Sequence, residues 1–285
     1  MNWRETFDAL CDRKMREADA EPIDPLETIE EHDLWPAARR IGSEWTRALY
    51  GGDAVLAPEP ADRPAVSLVF VQTRDGNTGA ADPAELGGGP TDMHLIYEGL
   101  SRVAADAVLA GAGSARGHRS FFSVWRRELI ALREELGLPR HPAQIVASRD
   151  GRLDVRSALL FNVPAVRVIL LGGRACIKSC WTALVDRPWI DIVPIEDDDW
   201  HAALATLRRD HGIHRISAIG GRRVATSLID AGVVQDLWLT TTSVNGGEPD
   251  TPYYVGAKPP RLELVVRKVA RSAETITFEQ KSVSP

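Results

Sequence analysis

Hydrophobic positions follow two regimes along the chain, with the change near residue 64. In the first regime Trp3, Phe7, Leu10 and Cys11 recur at i, i+4, i+7 and i+8, which predicts an amphipathic helix. After a proline-containing break at 21–25, a second helical stripe is predicted. It opens with Pro36 at its first position and runs through Ile41, Trp45 and Leu49 to the stop at Gly51-Gly52. Pro58, Pro60 and Pro64 mark 53–64 as a linker, so residues 1–64 read as a helical extension plus linker. Residues 65–285 read as one domain in which short β-branched runs alternate with helical stripes, the pattern of an α/β fold. Strands are predicted at 66–72, 107–110, 144–147, 166–171, 190–194, 215–219 and 237–242. Helices are predicted at 91–103, 123–136, 175–184, 199–210 and 222–231. The runs at 262–269 and 274–280 leave no room for a crossover helix, which predicts an antiparallel hairpin at one edge of a mostly parallel central sheet with helices on both faces.

Composition narrows the setting. The hydrophobic fraction is 44% and the charged fraction 26%, both ordinary for a chain that folds in water. Forty acids against 34 bases give a net charge of −6, so neither nucleic acid nor an anionic membrane is an expected partner. The polar start and the broken apolar runs predict neither a signal peptide nor a spanning helix. Three cysteines make no disulfide framework, and a reducing, cytoplasmic setting is expected.

The chemistry that the pattern offers lies in two glycine turns, each directly after a predicted strand. One is Gly111-Ala112-Gly113-Ser114-Ala115-Arg116, and the other is Gly220-Gly221-Arg222-Arg223 at the start of a helix. A missing Cβ lets backbone approach an anion, and the free N–H groups of the following helix attract it; Arg222 and Arg223 add charged donors. Both turns can also be no more than turns, although ligands of open α/β sheets collect at the carboxyl ends of strands. A Rossmann fingerprint would need a third glycine where Arg116 stands, and an acid where the strand ends in Ala147-Ser148-Arg149. A hydroxyl and a guanidinium there suit a 2′-phosphate, so a bound dinucleotide would be NADPH in preference to NADH.

These segments resemble the reductase domain of the bifunctional riboflavin-biosynthesis deaminase-reductase family, which shares the dihydrofolate reductase-like fold. The resemblance covers 65–278. Its motifs are the opening strand and turn from Ser67 to Gly76, the stretch from Arg102 to Ser114, the Gly220-Gly221 turn and the run from Ser227 to Leu237. It implies an NADPH-dependent reductase of a ribosylaminopyrimidine or pterin-like substrate, working as a homodimer. Gln72, Gly111, Ser114, Ser148, Arg149, Gly220, Gly221, Arg222, Arg223 and Val224 would surround the cofactor. Arg102 would face the substrate, and Asp75 would shape the loop beside the nicotinamide.

Departures from the family pattern are expected to matter. Ile219 stands where the family carries a substrate-binding glutamate, and His118 where it carries an aspartate. Phe121, Phe122 and Trp125 replace a polar segment, which predicts a substrate pocket relined with aromatic surface, Trp125 included. Pro90-Thr91-Asp92-Met93 opens a predicted helix where dihydrofolate reductase places its buried acid. Asp92 is therefore the candidate proton donor and substrate anchor, against a simpler reading as a first-turn residue interacting with the helix dipole. No metal is expected: Cys176 and Cys180 lack companion ligands, His211 and His214 flank a helix stop, and 196–199 reads as a helix cap. The zinc-deaminase signature is absent, so a reductase without the deaminase partner is expected. The alternative is a nucleotide-binding protein that keeps the fold without turnover.

Overall fold

The computed structural model describes residues 2–80, 83–117, 120–272 and 276–284. In chain order the elements are α1 (Trp3–Ala20), β1 (Leu26–Glu31), β2 (Arg40–Ile41), α2 (Glu44–Tyr50), β3 (Ala54–Val55) and β4 (Ala65–Gln72). A wide π-type helix, Thr91–Leu100, runs on into the single turn α3 (Ser101–Val103). Then come β5 (Ala107–Gly111), α4 (Arg127–Glu135), β6 (Ala143–Ser148), β7 (Val168–Gly172), α5 (Arg174–Leu184), β8 (Ile190–Pro194), α6 (Trp200–His211), β9 (Arg215–Ala218) and α7 (Arg222–Asp230). The chain closes with β10 (Asp236–Thr242), β11 (Arg261–Ala270) and β12 (Ile276–Ser284).

Ten of these strands form one sheet in the order β1-β11-β12-β10-β4-β9-β5-β6-β7-β8. From β10 to β8 every pairing is parallel, as strand–helix–strand crossovers demand, and β12, β11 and β1 add antiparallel ladders. Side-chain alternation divides the core between the two faces. Val66, Leu68, Ala107 and Leu109 point toward Leu204 and Leu207 of α6 and Leu228 of α7. Val69, Val108 and Ala110 point toward Leu95, Ile96 and Leu129 on the other face. The α/β class, the parallel sheet and the C-terminal hairpin are as expected, and 107–111 and 215–218 are adjacent strands.

The first 64 residues depart from a helical extension. Only α1 and α2 are helical, Pro36 sits in a turn, and α2 begins at Glu44 behind a Ser43/Thr46 capping box. Residues 26–31 are a strand that lies outside the hairpin and forms the outer edge of the sheet. Its burial pattern explains why periodicity misses it: only Leu26 is buried, and the ladder is reinforced by the pairs Arg267–Glu30 and Arg271–Glu27. The 53–64 segment is no free linker either. Ala54 and Val55 pair with β2, residues 54–57 are buried, and Glu59 meets Arg215 at 3.0 Å. Helix α4 starts at Arg127, four residues later than expected.

Candidate functional site

Because β5 and β9 are parallel neighbours, with Leu109 opposite Ala218, their glycine turns leave the same edge of the sheet side by side. Gly220 presses directly on the other turn: a Cβ there would lie 2.5 Å from the Gly111 nitrogen and 2.8 Å from the Ala110 Cα. Any side chain would force the two strand tips apart. Gly221 takes φ +56° and ψ 129° as the residue before α7, a conformation that glycine tolerates and side chains resist. In front of Gly221 and Gly113 the space is open, with no described atom within 4 Å of where a Cβ would be.

Helix α7 starts without a side-chain cap. The amides of Val224 and Ala225 already bond the Gly221 carbonyl, at 3.0 and 3.1 Å, which leaves the Arg222 and Arg223 amides as the first-turn donors without a backbone partner among the described residues. Arg223 is exposed. Arg222 is half-buried and donates through Nη1 to the Asp250 carbonyl at 3.3 Å. Ser114 is exposed in the turn after Gly111, and Val224 touches the space a Gly111 Cβ would fill, its Cγ2 only 3.1 Å away.

The remaining cofactor candidates stand on the flanking strands. Ser148, at the tip of β6, is buried, and its hydroxyl accepts from the Gly151 amide at 3.0 Å; Arg149 next to it is exposed. Gln72, at the tip of β4, donates to Thr241 Oγ1 at 2.9 Å. Asp75 accepts from the Gly246 amide at 3.1 Å, tying its loop to the one after β10. His118 lies outside the described residues. Among the described residues there is no group of three or more side chains able to hold a metal, and no helix is long and apolar enough to cross a membrane.

Asp92 opens the π-type helix and is only 5% exposed. Burial pushes its pKa up to about 6, opposed in part by the Thr240 hydroxyl. The carboxyl group lies against Gly88, where a Cβ would come 2.9 Å from Oδ2. Asp92 is thus a buried acid rather than a solvated first-turn residue, on the β10 side of the tip of β4. Thr240 and Gly88, which shape its surroundings, carry no sequence signal: one is a threonine inside a strand, the other one glycine of three in a row.

Two expected substrate residues are turned elsewhere. Arg102 is 1% exposed; its Nη1 donates to the Ser123 carbonyl at 3.0 Å, and the guanidinium lies 4.4 Å from the centroid of the Tyr97 ring. Burial and its contacts with Tyr97 and Ser123 hold the group toward the interior. Trp125 is equally buried, in a cluster with Phe7, Leu10, Phe121 and Leu159. Of the aromatic segment expected to reline a substrate pocket, Phe121 and Trp125 form the floor on which α1 lies, and the half-buried Phe122 packs against the other core clusters. Phe7 stacks edge-on against Phe121 at 4.8 Å, an apolar surface no amphipathic helix leaves bare. Ile219 is likewise buried, among Val69, Leu95 and Ile96. None of the glycine-tip residues belongs to the cluster beneath α1.

Comparison with known proteins fits this geometry. Residues 64–278 match the RibD C-terminal domain. No curated protein matches the chain. A pyrimidine reductase-like protein from Corynebacterium diphtheriae superposes with a TM-score of 0.61 at 19% identity, over 84% of this chain and 98% of its own. The riboflavin biosynthesis reductase Rib7 of Saccharomyces cerevisiae gives 0.51 at 18%, over 80% and 93%. A Thermotoga maritima diaminohydroxyphosphoribosylaminopyrimidine deaminase/5-amino-6-(5-phosphoribosylamino)uracil reductase gives 0.55 at 18%, over 78% of this chain and 57% of its own. With three-quarters of its length matched and the same α/β sheet in these structures, the chain belongs to the RibD C-terminal domain family, whose fold is that of the riboflavin-biosynthesis reductases.

Proposed function

We propose that the chain is an NADPH-dependent reductase of a small heterocyclic substrate, of ribosylaminopyrimidine or pterin type, reduced at a C=N or C=O carbon. One observation carries this reading: backbone touches backbone at the tips of β5 and β9, and the space in front of Gly113 and Gly221 is open. Those tips, with the two free amides of α7, fit a pyrophosphate. Gly111, Ser114 and the stretch from Gly220 to Val224 would hold it, Gln72 would line the tip of β4 beside it, and Ser148 with Arg149 would meet a 2′-phosphate. NADPH supplies the hydride. The chain's own part is to align the reacting carbon and, through Asp92, to hold a proton near it at neutral pH; a carboxyl with a pKa of about 6 is suited to that.

The test is a pair of variants, Gly221→Asp and Gly113→Asp, each placing a carboxylate in front of the free amides. Gly221→Asp also meets backbone strain, whereas Gly113 has neither positive φ nor a neighbour to clash with, so Gly113→Asp should fold normally. NADPH titration should show a loss of at least about tenfold in both, equivalent to about 1.4 kcal/mol. Unchanged affinity in both variants, with far-UV circular dichroism intact, rules the cradle out.

A second reading, nucleotide binding without turnover, is favoured by one set of facts: Arg102, Trp125 and Ile219 all face the core. Measuring NADPH oxidation with a panel of ribosylaminopyrimidines and pteridines separates the two. Oxidation with any of them supports the reductase, and tight binding with no oxidation across the panel supports the second reading.

A further inference from the structure

The amino ends of the strands carry a cavity of about 560 Å³, far from the glycine tips in topology. Its walls come from three stretches: the start of α1 with Trp3 and Arg4, the segment 156–164 with Arg156, and the turn of Asp186, Arg187 and Trp189 that leads into the amino end of β8. Three arginines against one aspartate leave this lining at +2 in a chain whose net charge is −6. Among the described residues, none of the three guanidinium groups has a carboxylate within 4 Å. Packing accounts for Arg187, whose guanidinium bonds Asn162 and the Ala183 carbonyl, whereas Arg4 and Arg156 bring like charge to the same wall with no ion pair among the described residues to account for them.

The lining is also rigid where it counts. Arg187 is clamped by Asn162, whose Oδ1 accepts from Nε at 3.2 Å and from Nη2 at 2.8 Å. Asn162 is itself buried and fixed by bonds from Nδ2 to the Val155 and Ala158 carbonyls. Trp189 is held by a bond from Nε1 to the Phe161 carbonyl at 3.1 Å. A third bond, from Nη1 to the Ala183 carbonyl in the last turn of α5, ties the Arg187 guanidinium to the helix end, so Arg187 is a fixed part of the wall and the exposed Arg4 and Arg156 are the groups left to meet an anion. The volume lies in the range of small-molecule sites, roughly 300–1,000 Å³. Indoles offer stacking surface, and guanidinium groups offer paired donors to phosphate.

We propose that this cavity binds a planar aromatic phosphate, at a site separate from the glycine tips. The test uses the full chain, with 2-naphthyl phosphate as probe and 2-naphthol and inorganic phosphate as its two halves, measured by isothermal titration calorimetry. The intact probe should bind with a Kd of about 1 mM or tighter, and each half about tenfold more weakly or worse. Arg156→Glu and Arg4→Glu, both at exposed positions and so expected to fold, should each weaken the probe by about tenfold. Gly113→Asp should leave its affinity unchanged. Absence of binding overturns the proposal, as does binding indifferent to both arginine variants. Loss of binding in Gly113→Asp alone would move the probe to the glycine tips and overturn it as well.

Discussion

On the β5–β9 side of the strand tips, glycine backbones touch, the space before them is open, and the nearest guanidinium groups lie at the surface or half-buried. Along the segment 121–125 the opposite holds: Phe121 and Trp125 turn inward under α1, and Arg102 is sealed among Tyr97, Phe122 and Ser123. The first region is built mainly from backbone, with Val224 and Ala115 its packed side chains, and the second is built from packed side chains. The difference teaches that an open edge built from glycine backbone can stand beside surface covered by a packed helix, because the edge depends on backbone and the helix seat depends on side chains. In this chain α1 covers that surface: Phe121 and Trp125 pack beneath it, while the half-buried Phe122 packs against the other core clusters.

The sharpest way to break this contrast is Trp125→Ala. If Trp125 is floor rather than pocket wall, its removal leaves a cavity beneath α1 and should cost about 3–5 kcal/mol of stability, read by urea denaturation. NADPH affinity of the folded fraction should stay as it was. A variant of normal stability would return Trp125 to the substrate side.

Asp92, on the same helical stretch as Arg102, is a buried acid on this side, and its titration sharpens the comparison. Its pKa rises from 3.8 to about 6 on folding, so the folded chain holds a proton that the unfolded chain releases. Stability contributed by the neutral carboxyl is therefore fully present below pH 3.8, declines as pH rises toward 6 and is lost above it. At neutral pH the resulting penalty is about 3 kcal/mol, taking 1.36 kcal/mol for each of roughly two pKa units. Asp92→Asn has no such titration. Its stability relative to the parent should rise by up to that amount between pH 4 and pH 7 in denaturation curves, and a flat difference would mean that the carboxyl is solvated.

The legible part of the molecule is the part whose energy comes from buried apolar residues. Strands such as 107–111 and 168–172 are buried at every position and appear as unbroken apolar runs; helices 200–211 and 222–230 carry clear stripes. The glycine tips were legible because only a missing Cβ permits the approach of Gly220 to Gly111. Strand 26–31 was not, since its stability rests on ladder bonds and cross-strand ion pairs between charged residues, which look the same as a polar loop. Nor did the side-chain directions of Arg102 and Trp125 show: an arginine near a helix end and a tryptophan after two phenylalanines suit either a pocket or a core. What decides between them is whether α1 lies on top, a contact made across more than 100 positions of sequence.

The attachment of α1 gives the smallest and most discriminating test, because Arg126 and Arg127 both hold it and differ in how. Arg126 is largely buried; its Nη1 donates to the Glu21 carbonyl at 2.8 Å and to that of Ala18, the free acceptors at the end of α1, while its guanidinium lies 5.3 Å from the Trp45 ring centroid. Arg127 forms a fork with Asp19 through Nε at 2.8 Å and Nη2 at 2.5 Å, but its side chain is 71% exposed. Contact distance alone would rank the two arginines as equals. Solvent ranks them otherwise: water screens the exposed pair and replaces its bonds, whereas removal of Arg126 leaves the part-buried Ala18 carbonyl without its donor. Arg126→Ala should therefore cost about 1.5–3 kcal/mol, and Arg127→Ala about 0.2–1 kcal/mol, falling further in high salt. Denaturation curves of both variants at low and high ionic strength check the ranking. If Arg127→Ala proved the costlier of the two, the helix would be held by surface charge, and the inward-turned aromatic floor would matter less than the comparison of the two regions requires.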